Sequence, residues 1–394
     1  MHLWGRMLTS SMILRHGDFA VLVTCADPSH VEWLVEFLCP PFTADRTGGS
    51  RGGSGERDRA SPSLCDVWVE TDERRYSDLL GLEPSGRHAT AFVLQTRTVE
   101  LPERADRSGA RWLHDEERGC FYGASPETER FTILSSRNDA RLRSPMLRVV
   151  RELAMNHARS AGHLLLHASS FTLGDDAVAL LGPKGSGKTT LLTLALTRPG
   201  TRYLTNDRLE VVRRGGLTSF SVPTIVNVRR NMLRFFPELE ARLRDGGYHF
   251  RRTLEECRKR VDPPSRPGAS GDPIGVTPAQ YRRLMGTDAA SSAPPARLLF
   301  PRLTHRPGGF AVRRMSALEA AARVDDALFA AAQGRRARPF FVLRGSGPGP
   351  NRSRLEGQWR DLASAVPSFE VEAGLDAYAA PDAAEIFIES LLKS

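Results

Sequence analysis

The sequence predicts an α/β protein, and three observations carry that prediction. The stretch AVALLGPKGSGKTTLLTLAL (177–196) sets a glycine-rich loop between an apolar strand-like run and an apolar helix-like run. Short runs such as FAVLVTCA, CDVWVE, GCFYGAS and RFTILSS recur along the first third of the chain with turn residues between them, as successive strands do. The segment MLRVVRELAMNHARSAG (146–162) repeats Leu147, Val150, Leu153 and Ala154 at helical spacing and meets Gly162 as a stop.

The loop is the most specific of the three. Gly182, Gly187, Lys188 and Thr189 satisfy G-x-x-x-x-G-K-[ST], and the pattern stands between strand and helix signals, the context it requires. Glycines let backbone N–H groups curl around phosphate oxygens, a lysine brings a point charge to the β/γ-phosphates, and the Thr189 hydroxyl can ligate Mg²⁺. The helix that starts at the loop adds the positive end of its dipole. The expected ligands are therefore ATP and Mg²⁺, with Gly182, Lys184, Gly185, Ser186, Gly187, Lys188, Thr189 and Thr190 as the contacting residues.

Taken in order, the chain opens with the strand FAVLVTCA and an amphipathic helix with Val31, Leu34, Val35 and Leu38 on its apolar positions. Residues 44–63 are rich in Gly, Ser and charge and are expected to form a disordered loop inside the first domain. TAFVLQTRTVEL, ARWLHD, GCFYGAS and RFTILSS then predict a mostly antiparallel sheet, so residues 1–145 form an N-terminal α+β region and 146–394 the nucleotide-binding domain. LLLHASSFTLGDDAVALLG predicts a hairpin turned at Gly174-Asp175-Asp176 that leads into the loop. Pro199-Gly200 ends the following helix, RYLTNDRLEVV gives a strand running into Asn206-Asp207, and LEVVRRGGLTSFSV a hairpin at Gly215-Gly216. Residues 262–273 suit a flexible lid, LLFPRL a buried strand, and SALEAAARVDDALFAA a helix with Leu318, Ala321, Ala322, Leu328 and Phe329 inward. FFVLR, FEVEAG and a last helix EIFIESLLKS close the second domain.

Composition bounds the function. The 394 residues suit two domains of ordinary size. No apolar run is long enough to cross a bilayer, and the first residues lack the apolar core of a signal peptide, so a cytoplasmic location without membrane contact is expected. Cys25, Cys39, Cys65, Cys120 and Cys257 are scattered and show no C-x-x-C, which argues against a disulfide scaffold or a zinc site. The net charge of +9 comes from arginine; lysine stands only at 184, 188, 259 and 393, the mark of a GC-rich coding bias rather than of a nucleic-acid partner. Arg229, Arg230, Arg234, Arg242, Arg244, Arg251, Arg252, Arg258 and Arg260 form one local cluster, either a solvated helix face or a surface for an acidic or phosphorylated ligand.

His167 in LLHAS, the loop GPKGSGKTT, and Asn206, Asp207 and Arg208 resemble the catalytic domain of the HPr kinase/phosphorylase family over about residues 151–230. The resemblance implies a P-loop fold related to that of phosphoenolpyruvate carboxykinases, and a kinase that moves the γ-phosphoryl group of ATP to a hydroxyl. The acceptor is then a peptide, a protein serine or a small-molecule alcohol, and a homo-oligomer is expected. On this reading Asp207 orients or accepts the acceptor proton and shares Mg²⁺ with Thr189, His167 hydrogen-bonds near the γ-phosphate, Lys188 holds the phosphates, and Arg229 meets the transferred group. Asn206 stands where the family has the first of two aspartates, Thr189 where it has Ser, and its glutamate-bearing signature has no copy after Pro223. Two other readings keep the loop: a non-catalytic ATP-sensing module that binds a partner, and a nucleic-acid-associated ATPase.

Overall fold

The computed structural model describes residues 10–46, 63–93, 98–106, 108–125, 129–245, 274–304, 306–329, 339–343, 351–378 and 380–393. The protein is mixed α/β, built around two nine-stranded mixed sheets. It divides into two compact units, Met1–Gly162 with Ala330–Gly349, and His163–Phe329 with Pro350–Ser394.

The first unit holds β1 (Ser10–His16), β2 (Phe19–Cys25), β3 (Thr43–Arg46), β4 (Ser63–Thr71), β5 (His88–Val93), β6 (Thr98–Ala105), β7 (Arg111–Asp115), β8 (Cys120–Ser125) and β9 (Arg130–Ser135), in the order β3-β1-β2-β4-β9-β8-β7-β6-β5. Its flanks are antiparallel, as expected, but β2, β4 and β9 run parallel at its centre. Parallel strands are covered on both faces, which is why every residue of β2 is buried. Helix α1 (Pro28–Leu38) packs on β2 and buries His30, Val31, Leu34, Phe37 and Leu38; Val35, expected inward, is half-exposed. Helix α2 (Glu73–Leu80), which the sequence reading passed over, has one buried residue, Leu79, so its apolar pattern is faint. TAFVLQTRTVEL is two antiparallel strands, β5 and β6. The ends of the expected loop 44–63 belong to strands, with Ala44 to Arg46 paired to β1 and Ser63 to β2; its remainder, 47–62, lies outside the described residues.

Helix α3 (Arg143–Ser160) carries Leu147, Val150, Leu153 and Ala154 buried as its spacing predicts. It falls in the first unit because it packs against α1, β2 and β5. FFVLR falls there too: Phe340 N donates to Thr90 O, and the Phe341 ring meets Phe92, Tyr122 and Phe131 at 5.5, 5.6 and 5.7 Å. An aromatic run far along the chain thus completes the core of the N-terminal sheet.

The second unit contains β10 (Leu164–Leu173), β11 (Asp176–Leu181), helix α4 (Lys188–Leu196), β12 (Thr201–Thr205), β13 (Arg208–Arg213), β14 (Leu217–Ser221), β15 (Val226–Val228), α5 (Arg230–Leu233), α6 (Pro237–Asp245), β16 (Ile274–Val276), α7 (Pro278–Met285), β17 (Ser292–Ala293), β18 (Pro295–Leu303), β19 (Phe310–Met315), α8 (Ala317–Ala322), α9 (Val324–Ala327), α10 (Arg352–Ala365), β20 (Ser368–Ala373) and α11 (Ala383–Leu392). Its main sheet runs β17-β14-β13-β10-β11-β18-β20-β19, with β12 also on β10. Both predicted hairpins, β10 to β11 and β13 to β14, are present. Strands β11, β18 and β20 are parallel, so their carboxyl ends share one edge. The segment SALEAAARVDDALFAA is two short helices parted at Arg323; Ala320, Ala327 and Phe329 are buried, whereas Leu318 is 82% exposed. The break at Arg323 shifts the inward face away from the one that a continuous helix would present.

Candidate functional site

The glycine loop 182–187 leaves the carboxyl end of β11 and delivers the chain into α4. Three glycines are required there, Gly182 among them at φ +144°. Gly185 has φ +95°, and Gly187 has φ +105° with Leu303 at the end of β18 directly beneath it: a Cβ on Gly187 would stand 2.5 Å from Leu303 Cγ. Gly187 is also the N-cap of α4, which has no side-chain cap hydrogen bond. The amides of the first turn therefore have no side-chain acceptor at the N-cap.

Two polar groups on the loop bear on ligand binding. Ser186 Oγ is buried with no hydrogen-bond partner among the described residues. The Lys188 ammonium is buried and turned back onto the loop, donating to the Gly182 carbonyl at 2.5 Å and the Pro183 carbonyl at 3.2 Å. Burial lowers its pKa to about 8 and Arg229 adds to the fall, against the opposing charges of Asp207 and Asp326. A buried cation held by neutral carbonyls has most to gain from an anion. The other predicted contacts are disposed accordingly: Lys184 is exposed, Thr189 half-exposed and Thr190 buried.

The acid arrives by strand register. Strand β10 pairs through its first half with β13 and through its second half with β12, the β12 ladder carrying a register shift between Ser170 and Phe171. Asn206 and Asp207 form the corner where one strand gives way to the other, held by Ser169 Oγ to Asn206 O at 2.6 Å and Ala168 N to Asp207 O at 3.1 Å. On the other side of β10, Ala168 pairs with Leu181, so the register carries His167 towards Gly182. His167 is 6% exposed and its Nε2 lies 3.2 Å from Asp207 Oδ1, whereas the Asp207 side chain is 32% exposed. Burial pushes the Asp207 carboxyl up, but the His167 hydrogen bond and the charges of Arg208, His167 and Lys188 outweigh it and bring the pKa down to about 2. Asp207 is ionised at neutral pH.

Asn206 has a different task. Its Oδ1 accepts from Tyr203 Oη at 2.7 Å, and its Nδ2 donates to Thr224 Oγ1 and the Ile225 carbonyl, both at 3.1 Å. This amide ties the corner to the segment after Pro223. An aspartate could not donate to the Ile225 carbonyl.

Sequence reasoning named Arg208 only within the resemblance, without a role, and passed over Asp326. The Arg208 guanidinium is buried over the Phe329 ring at 4.5 Å, with Nε 3.6 Å from Asp207 Oδ2. Asp326 is tied to Arg323 at 3.8 Å, on a stretch anchored to β10 by the Leu166–Leu328 bridge and by Phe329 N to Leu165 O at 3.1 Å. No motif marks Asp326, because more than a hundred residues separate it from the loop. Arg229 is exposed at the N-cap of α5. The other arginines of its cluster that can be placed are engaged locally: Arg234 over Phe235, Arg242 on Glu238 and the Leu284 carbonyl, and Arg244 on Glu240. Arg251, Arg252, Arg258, Arg260 and the expected lid at 262–273 lie outside the described residues.

Among the described residues no three His, Cys, Asp or Glu side chains converge as a metal site, and no helix is long and apolar enough to cross a membrane. A Mg²⁺ carried on nucleotide phosphates takes only one or two protein ligands. Thr189 and Asp207 are of that kind. No protein-family profile matches the chain, and a search of curated proteins finds no match.

Proposed function

We propose that this chain is an ATP-dependent kinase that transfers the γ-phosphoryl group to a hydroxyl, with a P-loop domain of the HPr kinase type. The observation that carries the reading is the junction on β10, where register brings an ionised Asp207, backed by a buried His167, to the edge of a glycine loop with an uncapped helix behind it.

The loop amides, Ser186 Oγ and the Lys188 ammonium bind the phosphates. Lys188 exchanges two neutral carbonyls for anionic oxygens, the stronger charge-assisted contact. Thr189 and Asp207 are the residues that would hold Mg²⁺, which when bound neutralises charge on the transferred group. With its pKa near 2, Asp207 is a weak base. It acts chiefly by orienting the acceptor hydroxyl, while His167 holds its carboxylate and the exposed Arg229, whose charge acts on Lys188, meets the charge of the phosphoryl group. Asn206 is consumed by the Tyr203, Thr224 and Ile225 contacts, so its identity is no mark of lost catalysis. The acceptor is a peptide or protein serine, or a small-molecule alcohol.

Purified protein incubated with γ-³²P-labelled ATP, Mg²⁺ and a lysate of its source cell tests this. A labelled acceptor is expected, lost with Asp207→Asn by roughly 10²- to 10⁴-fold in rate while ATP affinity holds. ATP binding without transfer to any acceptor would leave the sensor reading, and stimulation by DNA or RNA the ATPase reading.

A further inference from the structure

The glycine loop stands between two flanks of its sheet. On one flank β10 and β13 carry His167 and Asp207; on the other β18 and β20 run parallel to β11 and end at Leu303 and Ala373. After β20 the chain makes the short turn Leu375–Tyr378, pinned by Leu375 N to Arg306 O and by Gly308 N to Asp376 Oδ2, both at 3.0 Å. Tyr378 then enters a ring cluster, 4.9 Å from Phe235 and 5.8 Å from Phe310. Phe235 and Phe310 are half-buried, whereas Tyr378 is 6% exposed. Its hydroxyl is buried and has no hydrogen-bond partner among the described residues. The Arg234 guanidinium lies over the Phe235 ring at 4.5 Å.

These features ask for a flat, aromatic ligand with polar atoms on its edge. A planar guanidinium already covers Phe235, and a purine ring stacks on the same kind of face. The orphan hydroxyl, which both donates and accepts, is a cost to the free protein that a ligand would relieve. Position agrees with chemistry: the loop follows β11, Leu303 at the end of β18 lies beneath Gly187, and the turn bearing Tyr378 follows β20, so loop and ring cluster share the carboxyl edge of the parallel strands. We propose that Tyr378, Phe235 and Phe310 form a purine subsite, with the base stacked on the phenylalanine rings in place of Arg234 and its polar edge hydrogen-bonded to the Tyr378 hydroxyl. This inference rests on the nucleotide reading given above and specifies which half of the ligand gives selectivity.

The test is calorimetric titration of the full chain with ATP and with tripolyphosphate, each with Mg²⁺, in the wild type, Tyr378→Phe and Phe310→Leu. The wild type binds ATP about tenfold more tightly than tripolyphosphate or better, since only ATP reaches the rings. Tyr378→Phe weakens ATP by about five- to tenfold and leaves tripolyphosphate unchanged. Its melting temperature holds or rises, because it removes an unpaired hydroxyl. Phe310→Leu gives the same selective loss through stacking. Equal affinity for the two ligands in the wild type, or unchanged ATP affinity in both variants, overturns the subsite while leaving the loop intact. If neither ligand binds the wild type, the phosphate loop reading fails and the subsite with it.

Discussion

The two sheets treat the ends of their parallel strands differently. In the first, β2, β4 and β9 each lead into a helical turn whose N-cap is an aspartate: Asp27 accepts from Ser29 N, Asp72 from Arg75 N and Asp139 from Arg141 N. In the second, β11 leads into α4, whose N-cap is Gly187 without a side-chain bond. A capping carboxylate satisfies the orphan amides and complements the helix dipole from within the chain. A glycine leaves both tasks to an external anion. The same strand-to-helix connection is thus capped by a carboxylate three times and, at the loop, left without a side-chain cap. The start of α5 after β15, with Arg229 as N-cap, also lacks a side-chain cap bond, so what sets the start of α4 apart is the glycine loop that precedes it.

That comparison can be broken in four ways. The largest effect is expected at Lys188, where Lys188→Ala removes the cation that an external anion would meet; ATP affinity measured by titration falls roughly 10- to 100-fold. An unchanged affinity would mean that the open end of α4 does not take phosphate. Next comes Asn206→Asp, which sets an acceptor-only carboxylate against the Ile225 carbonyl in a buried corner. Chemical denaturation should show a loss of about 2 kcal/mol or more, whereas full stability would show that the Asn206 contacts do not hold the corner.

The third is a pH effect. Burial lowers the pKa of Lys188 to about 8, so the free protein carries the ammonium below that pH and loses it above. Phosphate binds the protonated form, and binding above pH 8 must take up a proton. ATP affinity therefore falls as pH rises from 7 through 9, by up to about tenfold per unit above the pKa, and the Lys188→Ala variant is flat over the same range. The smallest effect belongs to the first unit, where Asp72→Ala uncaps α2 at a cost of about 1 kcal/mol. Nucleotide affinity is untouched by that substitution; if a new phosphate site appeared on α2, an uncapped helix start alone would suffice and the loop glycines would lose their special place.

Much of the proposed site is legible in the sequence because its parts are local. The loop, Lys188 and Thr189 lie within eight consecutive residues, and their spacing follows from backbone geometry alone. His167 and Asp207 are legible as candidates by resemblance, and the hairpin signal at Gly174 implies that His167 returns to the loop's side. The role of Asn206 is not legible. One of its partners, Tyr203, is three residues away, but Thr224 and Ile225 come 18 and 19 residues later, after a hairpin. Asp326 and the seat of Arg208 over Phe329 are illegible for the same reason, since Phe329 and Leu328 reach β10 only through tertiary pairing.

The sequence by itself determined the mixed α/β class, the two hairpins, the buried stripe of α3, and a glycine loop between strand and helix. Each depends on residues a few positions apart, where periodicity and turn chemistry act. Only the tertiary structure decided that Phe341 completes the first unit's core, that the helix after β19 breaks at Arg323 and leaves Leu318 in solvent, and that Asn206 is a clamp while Asp207 pairs with His167 and stays part-exposed. Those outcomes depend on which surfaces find one another across long stretches of chain, and local propensity does not encode the burial and hydrogen bonds that such meetings create.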